Sequence, residues 1–243
     1  MRKQTSSSKI LAIVPALNEE QNIGKVVKNI VSHPRGIDVI VIDDGSIDQT
    51  AAVACTHGAK VIKLPYNIGI GGAVQTGFKY ARQHEYDIAM QIDGDGQHDV
   101  NEIDKIITPL EDGMGDVIIG SRYKADSGYS SPIMRRIGMI IFALVNSIII
   151  RQRIADNTSG FRAYNKRAIH FLADDYPSDY PEPEAVVLLG RSNFKLVEVP
   201  VFMNQREHGK SSINTFGAVY YMIKVLLAIF MDMFRYTPKK GEK

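Results

Sequence analysis

Three oxygen-bearing side chains stand at alternate positions in Asp93-Gly94-Asp95-Gly96-Gln97. Carboxylates this close repel one another unless a cation or a proton sits between them. Hard oxygen donors of this kind suit a divalent ion such as Mg²⁺ or Mn²⁺, and the two glycines let the chain turn tightly between the donors. A calcium loop of the EF-hand type needs Gly at its sixth position and Glu at its twelfth. Counted from Asp93 those positions hold His98 and Asp104, which excludes that chemistry. The chain also lacks a Gly-x-Ser-x-Gly elbow for a serine nucleophile. A sparse metal site open to a phosphate-bearing ligand remains, with a solvated acidic turn as the plain alternative.

The elements that must place these groups read as alternating strands and helices. The apolar run 86–92 enters the acidic stretch as a strand, and 10–14, 38–42, 59–64 and 116–120 supply four more. Helical periodicity fills the intervals, as with Val26, Val27, Ile30 and Val31. Asn18 is the expected cap of the helix after the first strand. Ser46 and Gln49 form the expected capping box of a helix over 49–57. Short connections between such elements predict an α/β fold with right-handed crossovers, in which ligands bind beyond the carboxyl ends of the strands. The segments 15–19, 43–46, 67–72 and 93–97 all fall at such ends, so one shared site is expected rather than four decorated turns.

Two nucleotide motifs are excluded. Gly69-x-Gly71 is followed by Val74 where the dinucleotide fingerprint needs Gly, and it opens the third unit instead of the first. No Walker A sequence is present. With 243 residues, 44% of them hydrophobic, the chain can bury a sizeable core; its one cysteine, Cys55, rules out an intrachain disulfide and suits a reducing compartment. The polar start of the chain shows no apolar leader segment. Net charge is +2, unevenly spread: residues 1–131 carry 13 Lys/Arg against 17 Asp/Glu, and residues 132–243 carry 16 against 10. A basic second half points to an anionic partner, phosphates or a lipid surface.

Taken in order, Pro15-Ala16-Leu17-Asn18-Glu19, Asp43-Asp44-Gly45-Ser46, Asn67-x-Gly69-x-Gly71-Gly72, Asp93-Gly94-Asp95-Gly96-Gln97 and Gly120-Ser121-Arg122 resemble the motifs of the family 2 inverting glycosyltransferases of GT-A fold. The branch they resemble is that of the dolichyl- and polyprenyl-phosphate sugar synthases, over about residues 10–212. The resemblance implies a Rossmann-like, mostly parallel sheet flanked by helices, with C-terminal amphipathic helices. It implies a flexible N-terminus over 1–8, a catalytic domain over 9–212 with an interfacial helix at about 132–150, and an amphipathic helix with a basic tail over 213–243. The implied reaction moves a hexosyl group from a nucleotide diphosphate sugar to a polyprenyl phosphate, with Mg²⁺ or Mn²⁺ as cofactor. The expected location is the cytoplasmic face of a membrane, with room for a small membrane partner protein and with no nucleic-acid partner. By this resemblance Pro15, Ala16, Leu17, Glu19 and Asp43 would hold the nucleoside, and Asp93, Gly94, Asp95 and Gln97 the metal and the donor diphosphate.

In the second half, Arg122 matches the family's phosphate-binding arginine after a Gly-Ser pair, and Arg135 or Arg136 stands for another. Arg206-x-x-Gly209-x-Ser211 matches a loop that would close over the donor phosphates. The segment Ser159-Gly160-Phe161-Arg162 resembles the acceptor side; Arg162 would serve a phosphate or pair with an acid. Asp95, Arg122, Arg206 and Glu184 make up the expected catalytic set. Glu182 and Glu184 lie where many family 2 enzymes carry a base, which an already ionised phosphate acceptor does not need. The uncharged run 137–150, bracketed by Arg135, Arg136, Arg151 and Arg153, is too short to span a bilayer. It suits a helix in the membrane interface, or a buried core helix. Two rival functions keep the same fold: transfer to a glycan hydroxyl with Glu182 or Glu184 as base, and a non-catalytic module that binds sugar nucleotides.

Overall fold

The computed structural model describes residues 8–122 and 143–204 together with positions 224 and 227. Seven strands form one sheet in the order β3-β2-β1-β4-β6-β5-β7. They are β1 (Ile10–Ala16), β2 (Asp38–Asp43), β3 (Lys60–Lys63), β4 (Ile88–Gln91), β5 (Val117–Ser121), β6 (Arg162–Asn165) and β7 (Leu196–Pro200). Only β6 runs against its neighbours, between β4 and β5. All seven residues of β1 are buried because helices cover both faces of the sheet, which is why it reads as a continuous apolar run. Leu11 and Ile13 face one core with Phe78, Ile169 and Leu172. Ile10, Ala12 and Val14 face the other with Ile23, Val27, Ile30 and Ile106.

The helices follow the expected alternation: α1 (Ile23–Val31), α2 (Thr50–Thr56), α3 (Ile70–Gln83) and α4 (Ile103–Glu111), the last entered through a 3₁₀ turn at Val100–Glu102. Beyond β5 come α5 (143–150), α6 (Lys166–Asp174) and α7 (Pro181–Arg191). β1 pairs in parallel with β2 on one side and β4 on the other. The strand order therefore reverses between β1 and β4, and a crevice opens beyond their carboxyl ends.

The expected helix caps do not form. α1 begins only at Ile23, and Asn18 sits in the left-handed region at φ 55°. Its Oδ1 accepts from Ile47 N at 3.0 Å, while its own N donates to Ser46 Oγ at 2.9 Å. α2 starts after Gln49 with no side-chain cap. The cause is tertiary: loops from the ends of β1 and β2 lie side by side, so the Asn18 side chain takes the backbone N–H of Ile47 and the Ser46 side chain that of Asn18, instead of capping locally.

α5 is amphipathic with its polar groups turned inward. Asn146 is fully buried and its Nδ2 donates to Asn157 Oδ1 at 3.0 Å; Ser147 Oγ accepts from Ile154 N at 3.2 Å. Leu144 and Ile148, one turn apart, are 62% and 68% exposed, whereas Ile150 joins the core. The expected interfacial helix lies partly outside the described residues, and so does the expected C-terminal amphipathic helix, of which only 224 and 227 are described. No helix of the described residues is long and apolar enough to cross a membrane.

Candidate active site

The crevice between β1 and β4 is an open cleft of about 510 Å³. Its walls come from the four strand ends singled out by their residue types: Pro15 to Glu19 at the end of β1, Asp44 after β2, Asn67, Gly69 and Ile70 at the start of α3, and Asp93 to Asp95 after β4. The structure thus brings Pro15, Ala16, Leu17, Glu19, Asp93, Gly94 and Asp95 together. Asp43 and Gln97 stand beside the cleft without lining it. Asp43 is fully buried; its Oδ1 accepts from Ser46 N at 2.8 Å, and Lys63 Nζ lies 3.9 Å from its Oδ2, which accepts no hydrogen bond. Gln97 is tied by its backbone, its N donating to Asp95 Oδ1 at 3.0 Å and its O accepting from Asn204 N at 2.8 Å.

Asp44 is a cleft residue that the reading of single motifs passed over. Its Oδ1 accepts from Ile68 N at 2.8 Å and its Oδ2 from Gly69 N at 3.0 Å, while its own N donates to Ala16 O. One residue therefore joins three strand ends, and its carboxylate seats the start of α3. Gly45 makes this approach possible. It holds φ +80°, and a Cβ there would lie 2.9 Å from both Asn67 N and Tyr66 C. The adjacency of Asp44 to Asp43 was the one available signal.

The carboxylate of Asp93 is set from below. Asp93 N donates to His98 Nδ1 at 3.0 Å, which leaves the ring proton on Nε2, 3.6 Å from Asp93 Oδ2. His98 is itself buried against Phe161, with ring centroids 5.0 Å apart. Asp93 Oδ1 is buried and meets no hydrogen-bond donor among the described residues. A buried carboxylate oxygen without a donor, next to a second carboxylate on an open cleft, suits a divalent cation with oxygen ligands. Among the described residues no group of three or more His, Cys, Asp and Glu forms a closed metal cage, so the donor set is sparse and leaves room for oxygens of a ligand.

Glu182 and Glu184 are in the first turn of α7, and neither lines the cleft. Burial, with the charge of Asp93, pushes the Glu182 carboxyl above its ordinary value, against the opposing pull of Arg162. Glu184 is buried at 7% exposure. Arg162 is buried, and its guanidinium donates to the backbone carbonyls of Ser159, Asn157 and Glu182.

Arg122 is held by a partner that no local motif announces. Its Nε and Nη2 donate to the two oxygens of Asp156 at 2.9 and 2.8 Å, and Nη2 also reaches Thr158 Oγ1 at 2.7 Å. Burial alone would raise the Asp156 carboxyl, but the hydrogen bonds and charge of Arg122, with the charge of Arg162, hold it below its ordinary value. Glu198 Oε1 accepts from the N–H groups of Ala155 and Asp156, fixing that turn. Arg135, Arg136, Arg206 and Ser211 lie outside the described residues.

Residues 11–172 match the model of the family described as Glycosyl transferase family 2. A UDP-N-acetylglucosamine–dolichyl-phosphate N-acetylglucosaminyltransferase of Methanococcus voltae is 30% identical over 212 residues, covering 79% of this chain and 84% of its own. An undecaprenyl-phosphate mannosyltransferase of Micrococcus luteus is 27% identical over 216 residues, covering 85% and 88%. The crystal structure of glucosyl-3-phosphoglycerate synthase from Mycobacterium tuberculosis with Mn²⁺, UDP-glucose and phosphoglyceric acid aligns with a TM-score of 0.70 at 19% identity, over 96% of this chain and 82% of that one. It shares the GT-A fold, with the same kind of mostly parallel, helix-flanked sheet. The family match runs through every strand end that lines the cleft, and the chain belongs to glycosyl transferase family 2.

Proposed function

We propose that this glycosyltransferase moves a hexosyl group, with inversion, from a nucleotide diphosphate sugar to a polyprenyl phosphate at the cytoplasmic surface of a membrane. The observation that carries the reading is the position of Asp93 and Asp95 at the strand-order reversal, with the Asp93 Oδ1 oxygen buried and facing no donor among the described residues. Support comes from the two relatives named for transfer to dolichyl and undecaprenyl phosphates, and from the apolar, outward face of α5.

In this reading the walls at Pro15, Ala16, Leu17 and Glu19 hold the nucleoside, with Asp43 fixing the turn behind them. Asp93, Gly94, Asp95 and Gln97 hold the diphosphate and a Mg²⁺ or Mn²⁺ ion. The ion supplies a counter-charge to the nucleoside diphosphate as it leaves. The acceptor phosphate oxygen forms its bond to the anomeric carbon from the face opposite the breaking carbon–oxygen bond. That oxygen is already anionic near neutral pH, so no side chain has to take its proton. Arg122, preset by Asp156, together with Arg206, Ser211 and Arg135 or Arg136, meets phosphate oxygens. A membrane partner protein belongs to this reading only as an expectation from the apolar faces.

A second reading, transfer to a glycan hydroxyl, draws on the first turn of α7, where Glu182 and Glu184 stand as the candidate bases and burial with the charge of Asp93 raises the Glu182 carboxyl. The deciding experiment incubates the protein with radiolabelled nucleotide sugars and a short-chain prenyl phosphate and extracts the lipid. Label in the lipid phase that stays acid-labile supports the phosphate acceptor. Label only in water-soluble glycan rejects it.

A further inference from the structure

Arg162 heads the wholly buried side chains by size, at 1% exposure. A buried cation is costly unless its donors are met, and here they are met by backbone. Nε donates to Ser159 O at 2.7 Å, Nη2 to Asn157 O at 2.9 Å and Nη1 to Glu182 O at 3.0 Å. The first two carbonyls belong to the loop before β6; the third belongs to the first turn of α7. A planar guanidinium can bolt two such segments together in one geometry, which an ammonium cannot.

That bolted wall presses on the acidic centre. A Cβ at Gly160 would lie 3.0 Å from both carboxylate oxygens of Asp93 and 3.2 Å from Gln91 Nε2. The same loop is anchored from its far side, where Asn157 Oδ1 accepts from Asn146 of α5. Arg162 thus holds both the loop that meets Asp93 and the turn that carries Glu182, while its own hydrogen bonds go to backbone carbonyls.

We propose that Arg162 is a positioning residue for the transfer step: it holds the 157–160 loop and the first turn of α7 as one wall against Asp93. The inference rests on the reading of Asp93 as a donor-diphosphate residue, but the wall itself can be tested without it.

Arg162→Lys keeps the charge and loses the fork. Hydrogen exchange should rise together in 157–161 and in the α7 amides over 184–188, and stay unchanged around 68–73. In the transfer assay kcat should fall on the order of 10²-fold with donor KM nearly constant, since a misplacement of about 1 Å costs that much. Ile106→Ala, a buried change in α4, serves as the control: it lowers Tm without lowering kcat below both melting temperatures. Gly160→Ala keeps every Arg162 bond and crowds Asp93, so it should reproduce the kcat loss even if Arg162→Lys fails to fold. Exchange that rises in only one segment, or across the whole chain, overturns the wall. Unchanged kcat in Gly160→Ala overturns its role in transfer. Wild-type protein that moves no sugar to prenyl phosphate removes the proposed acceptor, while the exchange result still decides the wall.

Discussion

Replacing Asp156 by Asn should destabilise the protein strongly at neutral pH while leaving its shape nearly intact. Asp156 is 1% exposed, and its two oxygens accept from the N, Nε and Nη2 of Arg122 and, at 3.3 Å, from Thr158. The amide removes the charge and turns one acceptor into a donor that faces the donors of Arg122. Removing one partner of a buried ion pair costs about 3–5 kcal/mol. The Arg122 side chain keeps 15% exposure, so the lower end applies, about 3 kcal/mol. For a chain of this size that is a Tm fall of roughly 6–12 °C. The sign of the pH dependence follows from the lowered Asp156 carboxyl. Its contribution is complete above the unfolded carboxylate pKa and is lost as pH falls through the folded value. Urea unfolding at pH 7 and 5 should show the same deficit, and the deficit should shrink below about pH 4, under the ordinary carboxylate value. A deficit under about 1 kcal/mol at pH 7, the scale of an exposed pair, or one that grows on acidification, would refute the account of this pair.

Three further outcomes test the site. Asp95→Ala should cost orders of magnitude in kcat, because the leaving diphosphate loses its counter-ion; full turnover by that variant, or by wild-type protein in EDTA, contradicts the metal role. Glu182→Gln and Glu184→Gln should retain most of kcat with a prenyl phosphate acceptor, whereas Arg122→Ala and Arg206→Ala should not; a loss at either glutamate in the range of about 10²–10⁴-fold, typical of general-base help, with little loss at the arginines promotes the glycan hydroxyl. Wild-type protein should float with anionic liposomes at low salt, and a Leu144→Ser, Ile148→Ser double variant should float less, since both side chains stand exposed on one face of α5. Equal flotation of the two proteins would place membrane contact elsewhere.

The sequence by itself determined the alternation of strands and helices, the strand ends that would meet, and the acidic Asp93-x-Asp95 pair among them. Those features are local: apolar runs of strand length, helical periodicity and turn residues act within a few positions, and the rule that α/β sheets bind ligands at one edge does the assembling. The family motifs, ordered along the chain, carried the reaction class for the same reason. Tertiary structure decided what depends on distant partners. Arg122 finds Asp156, 34 residues on, which holds its guanidinium in place, and Asn18 finds Ser46, 28 residues on, instead of capping a helix. Asp44 turned out to be the clamp on the glycine loop, because only the fold brings Ile68 and Gly69 to its oxygens. Asn146 and Ser147, which as sequence interrupt an apolar run, face inward, and Leu144 and Ile148 face out. A buried polar group takes whatever partner the packing supplies, since leaving it unpaired costs more than losing a local preference.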